Sequence, residues 1–194
     1  MKKWTRIIAT ASVLGLVLAG CGEKDKKDEN DNPKVEINIK DYGTIKAELD
    51  PEQAPITVEN FISLAEEGFY DGLTFHRIMD GFMMQGGDPL GNGTGGSEET
   101  IKGEFAQNGV NNTISHEKGT LSMARSQAPD SASSQFFIVD EDSTFLDGQY
   151  AAFGHVTEGI EIVDKICSEA KVIDDNGTVL PENQPIIKSI KVIK

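Results

Sequence analysis

The chain has 194 residues and 38% hydrophobic content, which suits one globular domain of about 100 to 200 residues with a core of its own. Its formal net charge of −14 argues against nucleic acid as a partner, because the phosphates would repel it. The same charge predicts weak affinity for anionic membrane surfaces unless an anchor is present.

The N-terminus offers an anchor. Met1 to Arg6 is a basic segment, and Ile7 to Ala19 is an apolar run of 13 residues, the length of an export-signal core. A membrane span needs roughly 20 residues. The run ends in Leu18-Ala19-Gly20-Cys21, which resembles the lipobox of bacterial lipoproteins. That resemblance implies a signal peptide over residues 1–20, diacylation of the Cys21 thiol, and a mature chain that begins at Cys21. The alternative is ordinary cleavage after Ala19, with Cys21 incidental. Removing the signal takes away Lys2, Lys3 and Arg6, so the formal charge becomes −17. With Cys21 lipidated, Cys167 is the remaining thiol and no intramolecular disulfide forms. Cys167 falls in an apparent helix and is expected to be a small buried residue. Gly22 to Pro33, "GEKDKKDENDNP", has no apolar residue and mixes both charge signs, so residues 21–33 are expected to be a lipidated cysteine and a solvated tether. Such a tether spans about 20 Å as a coil and about 40 Å extended.

The folded body is expected over residues 34–194. Val35, Ile37 and Ile39 alternate with polar residues, as do Ile45, Ala47 and Leu49 after Asp41-Tyr42-Gly43, which predicts an opening hairpin. Pro55 begins a segment in which Val58, Phe61, Ile62 and Ala65 recur at helical spacing, ending before Gly68. Short strand-like runs follow at Thr74–Ile78, Met83–Gln85, Gly119–Ala124, Gln135–Val139 and Ala151–Val156. A second helix is expected from Gly159 to Ala170, with Ile160, Val163 and Ile166 on one side, and a last strand over Ile186–Ile193. No internal repeat is present. Many short strands and two helices predict a mainly β fold, a closed eight-stranded antiparallel β-barrel capped by two α-helices.

Several chemistries are disfavoured. "GGDPLGNGTGG" lacks the Gly-Lys-Ser/Thr ending of a phosphate loop and reads as a tightly turned surface loop. His76, His116 and His155 are scattered without metal-ligand spacing, so each is expected to be structural. "SASSQFF" contains serines but no Gly-x-Ser-x-Gly elbow, which leaves no candidate nucleophile.

What remains is one arginine, Arg77, in the apolar stretch "FHRIMDGFMMQGGD". Charged side chains seldom stand in such company without a partner or a task. Together with "GNGTGG", "GTLSMA", "SSQFFI" and "FLDGQYAAFGHVTEG", this stretch resembles the cyclophilin family of peptidyl-prolyl cis/trans isomerases, over nearly the whole body from Lys34 onward. The resemblance implies an enzyme that needs neither metal nor organic cofactor. Arg77, the catalytic arginine of the family, and Gln85 would be the catalytic residues. Phe82, Met83, Phe137 and Leu146 would form the floor and walls of a proline pocket. Gln85 and Gln135 would hold the substrate backbone, and Ala124 and Arg125 would line the neighbouring groove.

The chain departs from the family pattern at three positions. Phe145 stands where many members have tryptophan, which implies weak cyclosporin binding. Tyr150 replaces a histidine at the pocket edge, and Arg125 replaces an asparagine and adds a positive charge there. The expected partners are proline-containing unfolded or exported polypeptides and, through Cys21, the outer face of the cell membrane, with the domain acting as a monomer. A non-catalytic module that grips proline segments in surface adhesion or assembly is the alternative.

Overall fold

Strand alternation in the first 16 residues of the body sets the frame. In the computed structural model, which describes residues 32–193, β1 (Lys34–Ile39) and β2 (Gly43–Leu49) pair antiparallel from Lys34↔Glu48 to Ile39↔Gly43. Val35, Ile37 and Ile39 face inward with Ile45, Ala47 and Leu49, each at most 3% exposed. The tight turn between them uses left-handed backbone at Asp41 (φ 66) and Gly43 (φ 127). The expected signal peptide, Cys21 and the tether as far as residue 31 lie outside the described residues.

Six more strands complete one sheet: β3 (Thr74–Met79), β4 (Met83–Asp88), β5 (Thr120–Met123), β6 (Phe136–Val139), β7 (Ala152–Glu158) and β8 (Ile187–Ile193). Their order is β3-β4-β6-β5-β7-β2-β1-β8, and every ladder is antiparallel. The sheet curls strongly, but the closed barrel expected from the sequence is not formed. The end strands β3 and β8 share no ladder. They meet at one bridge, Thr74↔Ile186, with Phe75 N–H donating to Pro185 O at 3.0 Å and Ile187 N–H to Leu73 O at 2.8 Å. The physical reason lies just ahead of β8. Pro185 has no N–H to donate, and Pro181–Asn183 is a 3-10 turn, so β8 does not extend along β3. Among the described residues the architecture is a curled, open half-barrel with two α-helices.

α1 (Pro55–Glu66) starts on proline as expected, and its side-chain cap comes from far along the chain. The Glu104 carboxylate accepts Ile56 N–H at 3.1 Å, Thr57 N–H at 2.8 Å and the Thr57 hydroxyl at 2.7 Å. Phe61 of α1 enters the half-barrel, with ring centroids 5.2 Å from Phe136 and 5.1 Å from Phe153. α2 (Ile160–Glu169) buries Val163, Ile166 and Cys167. Cys167 is a free buried thiol, and burial, reinforced by the Asp140 charge, pushes its pKa up, which makes it unreactive.

β4 runs three residues beyond the strand expected from the sequence. Gly86 permits this, since a Cβ there would lie 2.7 Å from Thr74 O on β3. The following loop is tightly turned around Asp88, whose carboxylate accepts the N–H groups of Leu90, Asn92 and Gly93 at 2.6 to 3.0 Å.

The sheet has two apolar faces. Met84, Phe136 and Ile138 point into the half-barrel and join its main core. Their neighbours Met83, Phe137 and Val139 point outward and form a second, smaller cluster with Leu146. The candidate site is built on that outer cluster.

Candidate active site

β4 and β6 are cross-strand partners at Met83↔Val139 and Gln85↔Phe137, and β3 adds Arg77↔Gln85. Residues distant in sequence are thereby placed on one outer face. Met83, Phe137 and Leu146 are 1%, 5% and 8% exposed and form the floor of a cavity of about 330 Å³. Phe82 and Phe145 close one side, with rings 5.6 Å apart, and Tyr150 closes another, meeting Phe137 edge to face at 6.0 Å. Arg77, Gln85, Ala124 and Arg125 complete the rim. Gln135, the remaining residue singled out from the sequence, lines an adjoining hollow of about 240 Å³ with Gln85, Ala124 and Arg125.

Arg77 is held on three sides. Its Nε donates to Asn176 O at 2.8 Å, Nη1 to Gln85 Oε1 at 3.2 Å, and Nη2 faces Met79 Sδ at 3.2 Å. Burial lowers its pKa, and the Tyr150 and Asp174 charges oppose that shift. An arginine remains protonated across the accessible pH range even so. The row continues from Gln85 Nε2 to Gln135 Oε1 at 2.9 Å and from Gln135 Nε2 to Gly95 O at 2.7 Å. Each carboxamide is thus oriented by its neighbour. The chemistry available is hydrogen-bond donation by a fixed cation at the edge of an apolar hollow.

Arg125 brings its positive charge to the rim, and its donors are already engaged. Nε and Nη2 donate to Gln149 O at 3.1 and 2.8 Å, and Nη1 donates to Ser126 O at 2.9 Å. Its guanidinium lies 4.6 Å from the Tyr150 ring centre and 5.0 Å from that of Phe105. Arg125 therefore braces the loops on either side of the groove.

Two features were not singled out from the sequence. Behind Phe137, His116 Nδ1 contacts Asp147 Oδ1 at 2.9 Å and Nε2 contacts Ser122 Oγ at 3.0 Å. The carboxylate only accepts, so Nδ1 carries the proton and Nε2 accepts from the serine. Ser122 is fully buried, which makes this row a brace for the pocket floor and keeps its hydroxyl from any substrate. The second feature is the Asn176 carbonyl on Arg77. Its signal in the sequence is "DDNG", a turn signature between Val172 and Val179.

A half-barrel with this outer cavity defines a protein that encloses one small apolar group while a fixed cation and two carboxamides face the polar chain carrying it. Residues 34–192 match the family model for cyclophilin type peptidyl-prolyl cis-trans isomerase/CLD, and the chain belongs to that family. It is 47% identical over 144 residues to peptidyl-prolyl cis-trans isomerase B of Bacillus subtilis, covering 74% of this chain and 92% of that one. It is 40% identical over 161 residues to peptidyl-prolyl cis-trans isomerase B of Escherichia coli, covering 78% and 94%. Among solved structures, a Cryptosporidium parvum cyclophilin type peptidyl-prolyl cis-trans isomerase, crystallised in the presence of the dipeptide Ala-Pro, superposes with a TM-score of 0.72 at 31% identity. That likeness covers 83% of this chain and 99% of the other.

Proposed function

We propose that this isomerase is an exported, lipid-anchored foldase that accelerates rotation about X-Pro bonds in proteins emerging at the outer face of the membrane. The observation that carries the catalytic reading is the Arg77 guanidinium, fixed by Asn176 and Gln85, on the rim of the cavity floored by Met83, Phe137 and Leu146. The N-terminal signal and the Leu18-Ala19-Gly20-Cys21 sequence support the location.

An X-Pro bond resists rotation because the nitrogen lone pair is delocalised into the carbonyl, with a barrier of about 18 to 20 kcal/mol. In the twisted transition state the lone pair is localised and can accept a hydrogen bond. Arg77 donates to it there and gains nothing comparable from the planar ground state, which is the condition for raising kcat. A charge-assisted hydrogen bond contributes about 1.5 to 3 kcal/mol. Millisecond turnover requires roughly 5.5 to 7 kcal/mol, so the remainder comes from confinement. Phe82, Met83, Phe137 and Leu146 hold the pyrrolidine ring, while Gln85, Gln135 and the groove beside Ala124 fix the flanking chain. The apolar walls exclude water and strengthen the guanidinium contact.

Magnetisation exchange on an Ala-Pro peptide tests the mechanism directly. Arg77→Ala is expected to slow exchange by roughly tenfold to 150-fold. Equal rates for wild type and Arg77→Ala would reject it, and peptide binding without accelerated exchange would favour the binding-module alternative. Mass spectrometry of the mature N-terminus tests the anchor. A diacylated Cys21 is expected, and cleavage after Ala19 with an unmodified thiol would overturn it.

A further inference from the structure

The hairpin Val172–Val179 contributes no side chain to the proline cavity, yet it is fastened to β3 on both sides of Arg77. Its arms bridge at Val172↔Val179, and Thr178 bridges to Arg77. Val179 N–H donates to His76 O at 3.0 Å, and Ile78 N–H donates to Gly177 O at 2.8 Å. This close approach depends on Gly177, where a Cβ would collide with Ile78 O and where the backbone is left-handed at φ 81. The tip so placed turns the Asn176 carbonyl onto Arg77 Nε.

Asp174 gives the tip its shape. Its Oδ1 accepts the N–H groups of Asn176 and Thr178, both at 3.0 Å, and its main-chain oxygen accepts Gly177 N–H at 3.1 Å. The side chain is exposed, so replacing it removes those bonds without opening the core.

We infer that Asp174 is a positioning residue for the isomerase reaction: by fixing this turn it presents Asn176 O to Arg77 and so aims the guanidinium across the cavity. The inference rests on the isomerase reading given above. With the turn loosened, Nε loses its fixed acceptor, and Gln85 Oε1 and the weakly accepting Met79 Sδ are left to orient the group. Arg77 acts in the transition state, so misaiming it lowers kcat and leaves KM in place.

The test measures kcat and KM by peptide exchange for Asp174→Ala and Asp174→Asn, each alone and combined with Arg77→Ala in the mature protein. Asp174→Ala is expected to lower kcat about three- to tenfold with KM within about twofold of wild type. Asp174→Asn is expected to stay within about twofold of wild type, since a carboxamide oxygen accepts the same two N–H groups. In the Arg77→Ala background, Asp174→Ala is expected to cause no further loss. Equal losses for the Asn and Ala variants would overturn the inference, because Asp174 would then act through its charge. So would an unaffected Asp174→Ala, or a loss that persists undiminished without Arg77. Activity insensitive to Arg77→Ala itself would overturn both the inference and the reading beneath it, and that arm alone identifies this case.

Discussion

The imidazole of His116 stacks on the ring of Phe137, with centroids 6.1 Å apart and planes 18° from parallel. A titratable group thus supports the floor of the candidate proline pocket from behind. Burial lowers its pKa below the ordinary 6.5, against the opposing pull of Asp147. His76 is shifted the same way by burial, and among the described residues neither of its ring nitrogens has a hydrogen-bond partner.

These shifts give stability a definite pH dependence. Both histidines titrate lower when folded, so below pH 6.5 the unfolded chain binds protons that the folded chain does not. Stability is therefore full above that value and falls as pH drops through it, by up to about 1.4 kcal/mol per pH unit for each histidine. Asp88, Asp147 and Asp174 are shifted below 3.8, so their contribution is lost only at still lower pH. Thermal melts between about pH 8 and about pH 5 check this, and a midpoint that stays level across that range would contradict it.

Adjacent phenylalanines on β6 should separate stability from activity. Phe136 faces the main core, and its replacement by alanine is expected to cost about 3 to 5 kcal/mol. Phe137 faces the open cavity, so Phe137→Ala is expected to raise KM for an Ala-Pro peptide strongly while lowering stability less than Phe136→Ala does. Denaturant titration and exchange kinetics on both variants decide the matter.

The strand that carries this pair is legible in the sequence, whereas which phenylalanine faces the core is not. "QFFIV" reads as a strand, and Arg77, Met83 and Gln85 fall within one stretch whose register on β3 and β4 brings them to one face, with Phe82 in the turn between the strands. The resemblance added Phe137, Leu146 and Tyr150, which spacing alone could not have assembled. Contacts made by distant residues without a local pattern stayed hidden. His116 meets Asp147 31 positions away, and Arg77 meets Asn176 99 positions away. Barrel closure is not legible in the sequence for the same reason, since it turns on whether β3 and β8 pair.

Glu104 is expected to matter for stability without touching the site. It is 2% exposed and serves three donors at the start of α1, so Glu104→Ala leaves the buried Thr57 N–H and the partly buried Ile56 N–H unpaired. A loss of about 1 to 3 kcal/mol is expected, with Glu104→Gln retaining part of it. Denaturant midpoints at unchanged slope would register the effect.

Phe145 is 65% exposed at the cavity edge. Tryptophan there keeps the aromatic wall and adds an N–H donor. Phe145→Trp is expected to keep Ala-Pro exchange within about twofold of wild type, whereas Phe145→Ala, which removes that wall, is expected to raise KM; exchange kinetics on both variants check this.

The first strand of the fold is zipped to the last: Lys34 lies opposite Ile193, and the ladder continues inward from there. Without β8, β1 lacks that neighbour and the sheet is incomplete. Completion of the sheet therefore waits for β8, and pairing across such a separation belongs to the milliseconds-to-seconds regime of non-local folds. The fold of this X-Pro isomerase is thus completed only when strands from opposite ends of the sheet-forming sequence meet.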